Sequence, residues 1–126
     1  MSEDPAEFMR RYAENTDAHR LEATLAMIAD DAVYLFSDGT SHVGKAVIAD
    51  VLAKNFAAIT DETYRIGDLR WLLRTSDAAT CVYVFDWSGV IDGKPAAGGG
   101  RGTSVLRRDG ESWLVVHEHL SKGGLG

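Results

Sequence analysis

The sequence predicts an α+β domain in which three N-terminal helices pack on a strongly curved antiparallel sheet. Three observations carry this. Apolar residues recur at helical spacing through the first sixty or so residues, at Phe8 and Tyr12, at Leu21, Leu25 and Ile28, and at Ile48, Leu52, Phe56 and Ile59. From Thr63 onward the period is two, in four segments near 63–74, 79–91, 96–108 and 112–121. The breaks Thr75-Ser76-Asp77, Asp92-Gly93-Lys94-Pro95 and Arg108-Asp109-Gly110-Glu111 have turn composition, and segments joined by such short turns run antiparallel.

Each element has a local reason. Asp4-Pro5-Ala6-Glu7 supplies an N-cap acid, a proline at the first helical position and a glutamate three residues after the cap. Asp17 is the expected cap of the second helix. After Asp30-Asp31 the period changes: Val33 to Phe36 reads as a short strand, Ser37-Asp38-Gly39 as a turn and Thr40 to Val43 as a return strand. Gly44 opens the third helix. The run Gly98-Gly99-Gly100 predicts a bulged, sharply bent strand. It is not a phosphate loop, because no Lys-Ser/Thr follows and no helix begins there.

Composition narrows the class. A chain of 126 residues fits one domain, 1–126, and folding at this size removes roughly two thirds of the unfolded surface from water. Apolar residues make up 45% and charged residues 25%, an ordinary globular balance. A formal charge of −6 disfavours nucleic acid and anionic membrane surfaces, which need a basic face. No apolar run approaches the ~20 residues that span a bilayer. Met1-Ser2-Glu3-Asp4 begins no hydrophobic leader, and a single cysteine, Cys81, fits a reducing cytoplasm and a small apolar strand position. His117 and His119 share a strand face at metal-ligand spacing, but no third ligand is evident. The expectation is no metal and no cofactor.

Hairpin arithmetic predicts a site. Even-numbered loops place Arg107 opposite Ser112, Arg101 opposite Glu118, Asp86 opposite Arg101 and Gly67 opposite Asp86. One face then carries Leu69, Trp71, Leu73, Val82, Val84, Thr103, Val105, Leu114 and Val116, with Asp86, Arg101 and Glu118 embedded in it. An apolar wall with a few convergent polar groups is the usual signature of a ligand pocket, so this face is expected to be concave. The other face carries Tyr83, Phe85, Trp87 and Trp113, too apolar to meet water, and predicts a homodimer through the convex side.

The segments "IADDAVYLFSDGTSHVGKAVI" and "RGTSVLRRDGESWLVVHEHLS", preceded by helices, resemble the SnoaL-like, ketosteroid-isomerase-like branch of the nuclear transport factor two superfamily, with its cystatin-like fold. The closing strand is also similar to the association domain of calcium/calmodulin-dependent protein kinases. The resemblance covers nearly the whole chain. It implies a cone-shaped domain, a pocket between sheet and helices, and dimers packed through the sheets. It also implies that Tyr12 stands where the steroid isomerases keep the tyrosine that donates to the developing enolate. Their catalytic base falls at Phe36, which cannot take a proton, so steroid isomerase activity by that mechanism is not expected.

The expected ligand set is therefore Tyr12, Trp71, Asp86, Arg101, Thr103 and Glu118, with Tyr12, Asp86 and Glu118 as catalytic candidates. The residues suit a small, neutral, largely apolar molecule bearing a carbonyl. Two function classes stay open: a cofactor-independent isomerase, cyclase or dehydratase, and a non-catalytic dimeric binding or assembly module.

Overall fold

The computed structural model describes residues 2–123; Met1 and residues 124–126 lie outside the described residues. In chain order the elements are α1 (Pro5–Asp17), α2 (Leu21–Leu25), β1 (Ile28–Leu35), β2 (Ser41–Val43), α3 (Lys45–Ala58), β3 (Thr60–Arg74), β4 (Ala78–Ile91), β5 (Lys94–Asp109) and β6 (Ser112–Ser121). The six strands form one sheet in the order β2-β1-β6-β5-β4-β3, which curls around the helices and stays open at its β2 and β3 edges. Neighbours are antiparallel except β1 and β6, which run parallel. The predicted α+β class is the observed one. Among the described residues no helix is long and apolar enough to cross a membrane.

Local chemistry explains the helix starts. Asp4 caps α1, its Oδ1 accepting from the Ala6 N–H at 2.7 Å. Asp17 does not cap α2. It ends α1, and its Oδ1 accepts from the Tyr64 N–H at 2.7 Å, which ties the end of the helix to β3. The second helix is shorter than its apolar spacing suggests, because Ile28 leaves it to begin β1 opposite Val115. Strand pairing overrides helical periodicity there.

The hairpins at Asp92-Gly93 and Gly110-Glu111 have two-residue loops, so the registers lie two residues from those expected: Val84 faces Arg101, Asp86 faces Gly99, and Arg107 faces Leu114. A shift of two preserves which residues share a face. What reverses is the face the helices cover. Ala79, Cys81, Tyr83, Leu106, Trp113 and Val115 are buried, while Val82, Val84, Thr103 and Val105 lie on the outer face. Tyr83, Phe85, Trp87 and Trp113 therefore belong to the inner face and cannot form a convex dimer surface. Covering the aromatic face removes the larger apolar area from water, which decides the matter.

The glycine run makes room rather than a bulge. The β4–β5 ladder is unbroken from Ala78↔Arg107 to Ile91↔Lys94, with Gly98, Gly100 and Gly102 opposite Trp87, Phe85 and Tyr83. A Cβ at Gly102 would fall 2.4 Å from the Tyr83 ring, and one at Gly98 2.7 Å from Trp87 Nε1. The aromatic ladder lies across β5 where side chains are missing.

Candidate active site

A bulge builds the site. Leu106 pairs with Val115 but Val105 pairs with His117, which leaves Val116 as an extra residue on β6. Beyond it the strand's faces exchange, and Glu118 turns inward opposite Ser104 and beside Tyr34 of β1. Glu118 is 5% exposed.

Tyr12, on the buried side of α1 with Phe8 and Met9, reaches this carboxylate. Its hydroxyl donates to Glu118 Oε1 at 3.2 Å, and the Tyr34 hydroxyl lies 2.7 Å from that of Tyr12. A phenol has one proton to give, so with Tyr12 donating to Glu118, Tyr34 is the donor to Tyr12. Burial pushes the Glu118 carboxyl up to about 7, against the opposing pull of the Tyr12 hydrogen bond. Burial, and then the Glu118 charge, holds both phenols well above their ordinary range, so they remain donors.

These groups line a cavity of about 340 Å³ between sheet and helices. Its walls are Phe36, Leu52 and Phe56 on one side and Tyr64, Phe85 and Trp87 on the other, with Glu62 at β3 and Leu120 beyond Glu118. No Lys or Arg is among its lining residues. Glu62 Oε1 lies 2.5 Å from His19 Nε2, and the His19 ring stacks on Phe56 with centroids 4.3 Å apart. Phe36 faces this cavity, and Asp38 is held in its own turn. The Asp38 carboxylate accepts from the Thr40 N–H at 2.9 Å and the Thr40 hydroxyl at 2.6 Å, bonds that keep it below the usual carboxylate range.

Of the residues expected to form the site, the fold brings together Tyr12 and Glu118. Asp86, Arg101 and Thr103 lie on the outer face instead. Asp86 pairs with Arg65 at 3.5 Å, and Arg101 Nε donates to Ser121 Oγ at 3.0 Å. The predicted cluster of Asp86, Arg101 and Glu118 is split because the bulge at Val116 inverts only β6. Trp71 lines a separate open groove of about 580 Å³ along α1 and β3, where Arg74 covers its ring. His117 and His119 face away from the cavity, and His117 Nδ1 lies 2.8 Å from the Val33 carbonyl oxygen.

Sequence reasoning missed Tyr34, Glu62 and His19. Tyr34 was legible as the aromatic centre of the short strand, but its partner required the parallel β1–β6 pairing. Nothing in the sequence joins His19 to Glu62, since a loop and a strand start meet only through tertiary contacts such as the Asp17–Tyr64 tie.

A model of the SnoaL-like domain matches residues 6–123. No curated protein matches the chain in sequence. Solved structures do. An NTF2-like protein with a cystatin-like fold from Novosphingobium aromaticivorans is 18% identical, with TM-score 0.77 over 92% of this chain and 77% of that one. A ketosteroid isomerase-like protein from Erwinia carotovora atroseptica is 20% identical, with TM-score 0.79 over 93% and 92%. A provisionally assigned scytalone dehydratase from Novosphingobium aromaticivorans is 12% identical, with TM-score 0.79 over 91% and 78%. At these identities the likeness is one of fold.

Proposed function

The chain belongs to the SnoaL-like domain family, and from that premise we propose that its cavity takes a small, largely apolar carbonyl compound and moves a proton on it without a cofactor. The observation that carries this is Glu118: a carboxyl buried in a cavity wall, poised at about 7 and held by a phenol. A base whose pKa sits near the working pH is half available as carboxylate and still basic enough to accept a proton, and such groups contribute roughly 10²–10⁴-fold to a rate. Ionised Glu118 would take a proton from the carbon beside the carbonyl. As it does so it no longer needs the bond from Tyr12, whose hydroxyl is then free for the developing enolate oxygen, with Tyr34 donating behind it. The acidic and aromatic lining, with no Lys or Arg in it, suits a neutral ligand over an anion.

The second reading, a non-catalytic binding module, rests on Phe36, an apolar ring lining the cavity where the resemblance places a base. One experiment separates them. Wild type and Glu118→Gln are incubated with 2-tetralone in D₂O, and loss of the α-proton signals is followed by NMR. Catalysed exchange in wild type that falls roughly 10²-fold or more in Glu118→Gln is the expected result. Ligand-induced change in tryptophan fluorescence that is lost in Trp87→Phe, without exchange above background, supports the binding module and sinks the catalytic reading.

A further inference from the structure

The cavity collects negative charge and offers little to answer it. The rings of Phe36, Phe56, Phe85 and Trp87 wall it, and Glu62 and Glu118 stand among them with no Lys or Arg in the lining. Glu118 is 5% exposed and the Glu62 side chain 7%. Burying a carboxylate in an apolar setting is costly unless donors or a counter-charge accompany it. Glu118 has one donor, the Tyr12 hydroxyl, on Oε1. Glu62 has one neighbour, His19 Nε2, also at Oε1, and His19 answers its charge only when protonated. The Oε2 atom of each carboxylate has no hydrogen-bond partner among the described residues. Yet no buried side-chain oxygen among them is left unpartnered, so both atoms must touch open space. For side chains buried this deeply, that space is the cavity they line.

We propose that the cavity binds a small organic cation, an alkylated ammonium joined to an apolar body, with the rings around the charge and the free oxygens of Glu62 and Glu118 as its counter-charge. The face of an aromatic ring is the negative end of its quadrupole, so rings and carboxylates favour the same guest. A primary ammonium would bring three N–H donors to satisfy; a fully alkylated one brings none and meets the rings directly. Asp38, exposed in its turn, adds a third acid to the lining, and the formal charge of −6 favours the approach of a cation. At about 340 Å³ the cavity is at the small end of ligand pockets, roughly 300–1,000 Å³, so the apolar body is a single ring or a short chain. The proposal shares its cavity with the acid–base reading and goes beyond it, since the charge preference holds whether or not Glu118 moves a proton. Where both hold, the carbonyl compound also carries an alkylated ammonium.

The test titrates the full chain at pH 8 with 4-(trimethylammonio)benzyl alcohol and with its uncharged isostere, 4-tert-butylbenzyl alcohol, followed by protein NMR. The cation is expected to bind tighter than the neutral compound by roughly tenfold or more. Burial raises the Glu118 carboxyl to about 7 with no cation beside it, so the bound cation should bring that pKa down in carbon-13 NMR and the neutral compound should not. In Glu62→Gln and in Glu118→Gln the affinity ratio should fall, while continued binding of the neutral compound reports an intact cavity. The Glu118 pKa in wild type decides independently of either variant. Equal or weaker binding of the cation overturns the inference. So does an unmoved Glu118 pKa, a ratio untouched by both variants, or failure of both compounds to bind at millimolar concentration. The acid–base reading fails on a different measurement, exchange on 2-tetralone, so the loss of either leaves the other standing.

Discussion

The Tyr12 hydroxyl of α1 donates to Glu118 Oε1 of β6 at 3.2 Å, joining the first helix to the last strand inside the cavity. This hydrogen bond lowers the Glu118 carboxyl, while burial raises it to about 7. Replacing Tyr12 by Phe removes the donor and keeps the ring. The Glu118 pKa should then rise by roughly one pH unit, the equivalent of a hydrogen bond to a charged group at the weak end of its ~1.5–3 kcal/mol range. Titration of the carboxyl by carbon-13 NMR checks this; a pKa that stays put or falls in Tyr12→Phe would contradict it.

Most of the fold was legible because it rests on local signals. The Asp4 cap, the glycine opening of α3 and the turn composition between strands are short-range, and β2 to β6 agree with the expected segments to within three residues at each end, whereas β1 begins five residues earlier than expected. The pairing of faces was legible too, since Asp86 and Arg101 share a face in both the expected and the observed register. Two things were not. Which face the helices cover depends on comparing two apolar surfaces, and the one judged a pocket wall was the less aromatic. The bulge at Val116 has no glycine or proline to announce it, yet it alone carries Glu118 to the inside. Glu118 was thus placed on the inner face for a reason the structure does not bear out.

Close approach, not flexibility, explains Gly100. A Cβ there would stand 2.0 Å from the Ser121 carbonyl oxygen and 3.3 Å from the Phe85 ring. Gly100→Ala must push β6 away and should cost about 1–3 kcal/mol. Gly67, where a Cβ would meet Val84 Cγ2 at 3.7 Å, has ordinary room, so Gly67→Ala should be neutral or slightly stabilising. Urea denaturation of the two variants decides; equal stabilities would show the glycine run has another cause.

With the aromatic residues turned inward, a homodimer, if formed through the sheet, must use the outer face, where Val82, Val84 and Val105 are half-buried and Leu73 is 52% exposed. We expect association burying more than ~1,000 Å² in total through this surface. Sedimentation should show a dimer at micromolar concentration for wild type and a monomer for Val84→Asp. A wild-type monomer would leave the outer valines as plain surface, and a dimer unaffected by Val84→Asp would move the interface elsewhere.

The burial that raises the Glu118 carboxyl should cost stability. Its folded pKa is raised, from 4.5 to about 7, so between those values the folded state binds more protons than the unfolded one. Stability contributed by the neutral carboxyl is therefore complete below pH 4.5 and is lost as pH climbs through about 7. With the group 5% exposed, solvent screening is small, and the shift corresponds to about 3 kcal/mol lost by pH 8. Other groups titrate over the same range, so the useful quantity is the difference between wild type and Glu118→Gln, which keeps an oxygen for the Tyr12 hydroxyl and carries no charge. Near pH 4.5 the two proteins should have similar stability. At pH 8 the variant should be the more stable by an amount of that order, read as a higher midpoint in urea. Curves that stay parallel from pH 5 to 8 would mean that Glu118 is not a buried titrating group, and would remove the ground for the base proposed there.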